Sequence, residues 1–452
     1  MTQRTTPPVP FSRAGRRPIA ADFSGGTITS DAGALLLRQA DRQLGLIDAL
    51  NAALPDPRNP RLIAHPQRAL LAQRVFAIAA GYEDLNDHQR LRDDPLWQTA
   101  TDHPEVAADA TLASPPTLCR LENRVSRAAL RELAEVFVDQ FLAAHPTPPA
   151  EVVLDFDATD DPVHGRQEGR FFHGYYDGYC FLPLYVFAGD HLLVAYLRPA
   201  DRDAGHHNRA VLKWLVGRLR AAWPGVRVVL RADSGFCRWR LMRWCDRHGV
   251  GYLLGLARNP VLERTAAAWA AQAEAAYRAD PTRPHRVFGE FDYAAQTWDR
   301  PRRVIAKAEH LPGDKANPRY LVTNLPGDGR SLYEDRYCAR GEMENRIKEQ
   351  QLQLFADRTS CHAFVANQFR VLLAAAAYVL VSHIRRVGLA GTELARAEVG
   401  TIRLRLLKVG AWVARTARRV VVRMSSAYPW PDLFTGVAGR LAQPRFAVPS
   451  GP

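Results

Sequence analysis

Paired cysteines are missing from this 452-residue chain: none of Cys119, Cys180, Cys237, Cys245, Cys338 and Cys361 forms a CxxC, and no histidine pair stands at zinc-finger spacing. This argues against a structural zinc site, and scattered thiols suit a reducing cytosol. A membrane-length apolar run is missing too. The most apolar stretch, "VLLAAAAYVLV" from Val371 to Val381, falls short of the roughly 20 residues a span needs and reads as a buried core helix. The opening "MTQRTTPPVPFSRAGRRP" lacks an apolar h-region, which predicts no secretory signal and a cytoplasmic protein. No internal repeat is visible. Acidic residues are in deficit, 47 against 60 Lys and Arg, for a net charge of +13. That bias favours a polyanionic partner, nucleic acid ahead of an anionic membrane.

What is present suits a globular protein. Hydrophobic residues make up 47% of the chain, which argues against disorder, and the length predicts two or three domains. Heavy use of Ala and Arg suggests a GC-rich, bacterial coding sequence. Residues 1–20 carry Arg4, Arg13, Arg16 and Arg17 and read as a basic arm. Residues 29–145 show helical spacing, beginning with a Ser30/Asp31 cap before "ALLLRQADRQLGLIDAL". "HPTPPAE" reads as a linker, after which the period changes. "EVVLDFD", "YCFLPLYVFAG", "HLLVAYLRPA", "VRVVLRAD" and "GYLLGLA" read as strands, with "HHNRAVLKWLVGRLRAAW" and "RWRLMRWCDRHG" as helices. This is an α/β core with a mixed sheet and flanking helices.

The expected organisation is a helical domain with its basic arm, the candidate for nucleic-acid contact, at 1–145 and a first part of the α/β domain at 146–257. A β-rich insertion subdomain follows at 258–332. The α/β domain continues at 333–390 with a polar helix and an apolar one, and a basic segment occupies 391–452. From 385 onward there are 12 Lys and Arg against 3 acids, a net of +9. Arg415, Arg418, Arg419 and Arg423 in that tail are candidates for a phosphate-contacting face.

Acid gathers where the basic chain leaves its first strand: Asp155, Asp157, Asp160 and Asp161 lie within "LDFDATDDP". Strand 1 ends near Asp157, strand 4 ends at Asp233, and the polar helix carries Glu344. Strand ends of an α/β sheet converge on a ligand crevice. Two aspartates and a glutamate there suit Mg²⁺, which takes oxygen ligands, and a pair of such ions supports in-line phosphoryl displacement. Alternation puts Asp155 and Asp157 on one side of the strand, so periodicity does not choose between them. Asp160 and Asp161 precede Pro162 and read as turn residues. His164 and Gln167, just beyond, are further candidates for DNA contact. Adjacent His206 and His207 read as exposed cap residues, and Trp298 as a core or rim residue, with stacking on a displaced base as the alternative.

Tyr337, Arg340, Glu344, Lys348 and Gln351 follow spacings of 3, 4, 4 and 3 and share a helix face. Solvent-exposed i,i+4 pairs, each worth about 0.3–0.5 kcal/mol, are the plain reading of such a helix taken alone.

These stretches together resemble bacterial insertion-sequence transposases of the DDE type. "YCARGEMENRIKEQQ" resembles their tyrosine–arginine–glutamate–lysine motif, and "DFDAT" and "LRADSGF" resemble their two aspartate motifs. The likeness extends to "LASPPTLCRLENRVS" and "ARRVVVRMSSAYPW". It implies an RNase H-like catalytic domain with a β-rich insertion between the second Asp and the Glu. It places catalysis and metal binding on Asp157 (followed by Thr159), Asp233 and Glu344, with two Mg²⁺ ions for which Mn²⁺ substitutes. Tyr337 and Arg340 would contact the DNA backbone. The motif's lysine falls on Gln351, and Lys348, one turn earlier, is the candidate replacement. The implied activity is cleavage at the terminal inverted repeats of a mobile element and joining of the 3′-OH ends to target DNA, by a homodimer on DNA at the bacterial nucleoid. The alternatives are a metal-dependent nuclease of the same fold that does not join strands, and an inactive DNA-binding relative. "TLCRLENRVSRAALRELAEVF" reads either as a major-groove helix or as a bundle helix.

Overall fold

A computed structural model describes residues 9–102, 111–416 and 418–443. Arg4 of the expected arm and residues 444–452 of the tail lie outside the described residues. The described residues form two compact units: 9–51, 56–102, 111–121, 383–416 and 418–443 in one, 52–55 and 122–382 in the other.

The larger unit opens with helix α1 (Arg127–Ala143), capped by Ser126, whose hydroxyl accepts the Ala129 amide at 3.2 Å. Strand β1 (Glu151–Ala158) follows. Then come β2 (Phe171–His173), β3 (Gly178–Phe181), β4 (Leu184–Ala188) and β5 (His191–Tyr196). Gly189 with φ 58° makes the tight turn between β4 and β5. Helix α2 (Asn208–Ala222) leads to β6 (Arg227–Ala232), and α3 (Trp239–Arg247) to β7 (Gly251–Leu256). After α4 (Ala267–Ala279) come β8 (His285–Tyr293), β9 (Arg302–Leu311) and β10 (Arg319–Thr323). The unit ends with α5 (Gly341–Lys348) and α6, which begins at Phe364.

The main sheet runs β8-β9-β10-β7-β6-β1-β4-β5. Pairs β1–β6 and β6–β7 are parallel; β1–β4, β4–β5, β7–β10, β9–β10 and β8–β9 are antiparallel. The strands of the expected insertion subdomain therefore continue the main sheet. Tyr320 to Thr323 pair with Leu256 to Leu253, satisfying backbone groups that would otherwise form an open edge.

Alternation along β1 decides what each face meets. Val152, Leu154 and Phe156 join Val138 and Phe141 of α1 and Leu212, Leu215 and Leu219 of α2 in one core cluster. Burying each such side chain contributes roughly 1.5–3 kcal/mol. Val153, on the other face, packs with Val229, Leu253, Leu332, Tyr333 and Tyr337. That face, shared by Asp155 and Asp157, is covered by the segment leading into α5. The helix α1, counted with the N-terminal helices on sequence spacing, belongs to this unit because its apolar stripe lies on the sheet. The second half of the possible major-groove element is thus a packed helix. Trp298, half-buried, packs against the same core, with Tyr293 edge-on at 5.4 Å.

The helix from Phe364 to Gly388 is long and apolar enough to cross a bilayer by length and composition, but 83% of its most apolar window is buried in the protein. It is a core helix, as its sequence suggests.

In the smaller unit, strand Ile28–Thr29 pairs with Ala411–Arg415, which pairs with Val420–Met424. The C-terminal residues thus belong with the N-terminal ones and form a hairpin. Asp31 does not cap the helix Ala34–Leu44, where no side-chain cap bond is present. It is buried instead, accepting from Tyr82 Oη (2.6 Å), Trp97 Nε1 (3.1 Å) and Lys408 Nζ (2.8 Å). Three donors balance one buried carboxylate.

Candidate active site

The two strand-end aspartates stand side by side because β1 and β6 are parallel and in register. Phe156 is opposite Ala232, and Asp157 and Asp233 are the residues that follow. Asp233 closes the strand by capping the turn Ser234–Phe236, its Oδ1 accepting the Gly235 amide at 2.9 Å. Asp157 Oδ1 accepts the Ala158 amide at 2.9 Å.

Alternation left Asp155 and Asp157 equivalent and the resemblance chose Asp157; the structure gives the two different partners. Asp155 is opposite Arg231 on β6. The pair is bidentate, Nε to Oδ1 at 2.5 Å and Nη2 to Oδ2 at 2.7 Å. Burial raises the Asp155 pKa, with the Arg231 hydrogen bond pulling the other way. Both oxygens are engaged by Arg231. Arg231 also donates to the Arg336 carbonyl, fastening the sheet to the segment that carries Tyr337 and Arg340. Sequence reading missed Arg231; its signal was its place two residues before Asp233 on the neighbouring strand.

Arg340 stands between the other acids. Its Nη2 is 2.9 Å from Asp157 Oδ2 and its Nη1 is 2.8 Å from Glu344 Oε1. The i,i+4 pair that spacing suggests is present, with the Glu344 side chain 50% exposed, but Arg340 is only 14% exposed because it is drawn in to Asp157. Its pKa is raised: burial opposes the charge, but Asp157, Tyr337, Asp233 and Glu344 outweigh it. Burial pushes Asp157 up to about 6; Arg340 and the Ala158 amide pull it down, while Asp233 and Glu344 push it further up.

Tyr337 lies over β7 at Gly255. A Cβ on Gly255 would come within 2.6 Å of the Tyr337 hydroxyl and 3.0 Å of the Ser234 amide. Glycine here lets the tyrosine reach the Asp233 turn. Burial raises the Tyr337 hydroxyl to about 12; Arg340 lowers it and Asp233 raises it.

The helix bearing these residues is irregular. Wide π-turns span Leu332–Tyr337 and Glu349–Gln353, with α5 between them, a feature common at functional sites. Glu344 and Lys348 are exposed. Gln351 Nε2 donates to the Asp160 carbonyl at 2.8 Å, so the residue at the lysine position clamps the exit of β1. Arg346 binds Asp190 at 2.8 Å and fixes the helix to the β4–β5 turn.

Asp161 is not a turn residue. It sits in the two-residue strand Asp161–Pro162, buried, with its Oδ1 accepting the Thr359 hydroxyl at 3.1 Å. Burial raises its pKa well above the usual carboxylate range. Gln167 is likewise structural, donating to the Thr359 carbonyl at 3.1 Å, whereas His164 is exposed. Arg415, Arg418 and Arg419 belong to the smaller unit. Arg415 is half-buried and bonds Gln98; Arg418 and Arg419 are exposed at the hairpin turn.

Two aspartates and a glutamate are the donor type that hard divalent cations take. Among the described residues no three His, Cys, Asp or Glu converge closely enough to hold a metal. The Arg340 guanidinium occupies the space between Asp157 and Glu344.

No curated protein matches the chain. The cryo-EM structure of a piggyBac transposase synaptic complex with hairpin DNA aligns with 84% of this chain and 80% of that one, at 13% identity and a TM-score of 0.38. The family described as Transposase DDE domain group 1 matches residues 11–446. With nearly its whole length matched, the chain belongs to the DDE transposases of group 1.

Proposed function

We propose that this protein is a bacterial insertion-sequence transposase that binds terminal inverted repeats, cuts at the element ends and joins the 3′-OH ends to target DNA. The observation that carries this reading is the grouping of Asp157 and Asp233 on adjacent parallel strand ends, with Glu344 tied to Asp157 through Arg340. The order β5-β4-β1-β6-β7, an antiparallel meander followed by two parallel strands beyond β1, supports an RNase H-like core.

On this reading Asp157, Asp233 and Glu344, which do not converge on a metal site in this structure, are the acids that would take divalent cations, Mg²⁺ or Mn²⁺, and such ions would supply Lewis-acid stabilisation of charge in phosphoryl transfer. The chain's own groups position the DNA. Arg340 is held charged by its neighbours, and its planar donors match phosphate oxygens as well as carboxylates. Lys348, exposed one turn beyond Glu344, offers a second cation to the backbone. Asp155 and Arg231 keep β1 and β6 in register, so the two aspartates arrive together. Asp157 lies mostly out of water, where charge interactions are strong. Action as a homodimer on paired DNA ends is part of the same proposal.

The test is a strand-transfer assay with Mg²⁺ and labelled terminal repeats. We expect cleaved and joined products from the parent and neither from Asp157→Ala, Asp233→Ala or Glu344→Ala. Cleavage without joining identifies a nuclease instead. DNA binding with no cleavage by the parent identifies an inactive relative.

A further inference from the structure

The segment from Arg170 to Tyr179 leaves large aromatic rings in water. Phe171, Phe172, Tyr175 and Tyr179 are exposed by 42, 54, 85 and 50%. One exposed aromatic needs no explanation, whereas a contiguous group marks an interaction site. Phe172 and Tyr179 are cross-strand partners in the β2–β3 hairpin, with rings 5.8 Å apart. The Arg170 guanidinium lies 4.5 Å from the Tyr179 ring centroid.

The hairpin is fixed at its root. Strand β3 pairs with Asp161–Pro162. The Glu168 amide donates to the His362 carbonyl at 2.9 Å, and its carboxylate accepts the Phe364 amide at 3.2 Å. Tyr176 and Ala158 pack together on Cys180, Leu182 and Ala200, so the hairpin rests on the residue after Asp157. Burial, with Asp160, Asp157 and Asp233 adding to it, raises the Tyr176 hydroxyl to about 12. The hairpin and the acids therefore share one neighbourhood.

We propose that the outer face of this hairpin, Phe172 and Tyr179 with Arg170, and Tyr175 at the tip, binds unpaired nucleobases of the DNA strand whose phosphate meets Asp157, Asp233 and Glu344. This rests on the DNA-cutting reading above. Aromatic faces stack on any base, and a guanidinium within the stack adds attraction for the strand. The Glu168 carboxylate is turned to the Phe364 amide, so it does not oppose a phosphate at this face. An apolar protein partner would leave the Arg170 charge buried without an acid.

Fluorescence anisotropy on the full chain, without divalent cations, tests this with a blunt duplex and the same duplex bearing a short single-stranded overhang. The parent should bind the overhang DNA roughly tenfold more tightly. Phe172→Ala/Tyr179→Ala should lose that preference and keep the blunt-duplex affinity, while Tyr179→Trp should retain the preference. Tyr175→Ala, at the most exposed ring, should weaken overhang binding with no change in melting temperature, so the test survives if the double variant misfolds. The same overhang-to-blunt ratio in the parent and in both alanine variants overturns the proposal. A change of oligomeric state in those variants makes the face a contact between copies and also overturns it. If the parent binds neither DNA, the DNA-cutting reading itself has failed.

Discussion

The guanidinium of Arg340 lies 2.9 Å from the Oδ2 of Asp157. A residue that its motif would place at the DNA backbone is thus the counter-charge of the first acid. Its second hand on Glu344 ties the helix acid to the strand acid. Two acids that would repel each other share one cation, whose charge Asp233 also favours.

Removing that cation should cost stability in a pH-dependent way. Arg340→Gln leaves Asp157 mostly buried beside Asp233 and Glu344. A loss of about 1–3 kcal/mol is expected at pH 8, shrinking near pH 5 as Asp157 takes up a proton. Urea melts at the two pH values measure it. An equal loss at both would show that the pair does not act through charge.

Asp157→Asn should behave in the opposite sense. The folded-state pKa of Asp157, about 6, lies above its ordinary 3.8, so the folded protein holds this proton more tightly than the unfolded chain. Stability therefore declines as pH rises from about 4 through 6, and the full cost, up to roughly 3 kcal/mol, is present above that window. The asparagine variant should be the more stable protein at pH 8, with a margin that vanishes near pH 4. Added Mg²⁺ should narrow the margin by stabilising only the parent. A variant that melts below the parent at pH 8 contradicts this account.

Asp155 serves as the contrast. Asp155→Ala removes both acceptors of Arg231 in the sheet and should lower stability by about 2–4 kcal/mol, while activity per folded molecule persists. Asp155→Leu/Arg231→Met should recover most of that loss. Denaturant melts with activity normalised to folded protein decide it, and complete loss of activity in folded Asp155→Ala would make it a ligand.

Gly255→Ala sets a methyl group against the Tyr337 hydroxyl and the Ser234 amide. Overpacking should cost about 1–3 kcal/mol and disturb the Asp233 turn. Tyr337→Phe in the same chain should return part of the stability by removing the clashing oxygen. No recovery in the double variant would place the strain on the backbone of Ser234.

Lys348→Ala should weaken DNA binding by similar factors across sequences and reduce the slope of log affinity against log salt by about 1. Gln351→Lys should lose the Asp160 clamp without replacing Lys348. An unchanged salt slope in Lys348→Ala would remove that lysine from the interface.

Much of the larger unit was legible in the chain. The strands around Asp157 and Asp233 are short apolar runs closed by turns, and local pattern suffices for such elements. The readings that failed are those in which a polar residue found a distant partner. Asp31 looks like a helix cap until Tyr82, Trp97 and Lys408 surround it. Asp161 looks like a turn residue until Thr359 meets it in a buried strand. In each case the competing interaction is tens to hundreds of residues away, where no local period reports it.

The sequence by itself determined the acids: two aspartates at strand ends, a glutamate on a polar helix and a basic chain around them. Those features depend on residue type and short-range spacing. Only the tertiary structure decided which partner each of Asp155 and Asp157 has. Both side chains leave β1 on the same face, and the choice was made by register, which sets Arg231 of the parallel strand opposite one of them and leaves Arg340 to reach the other.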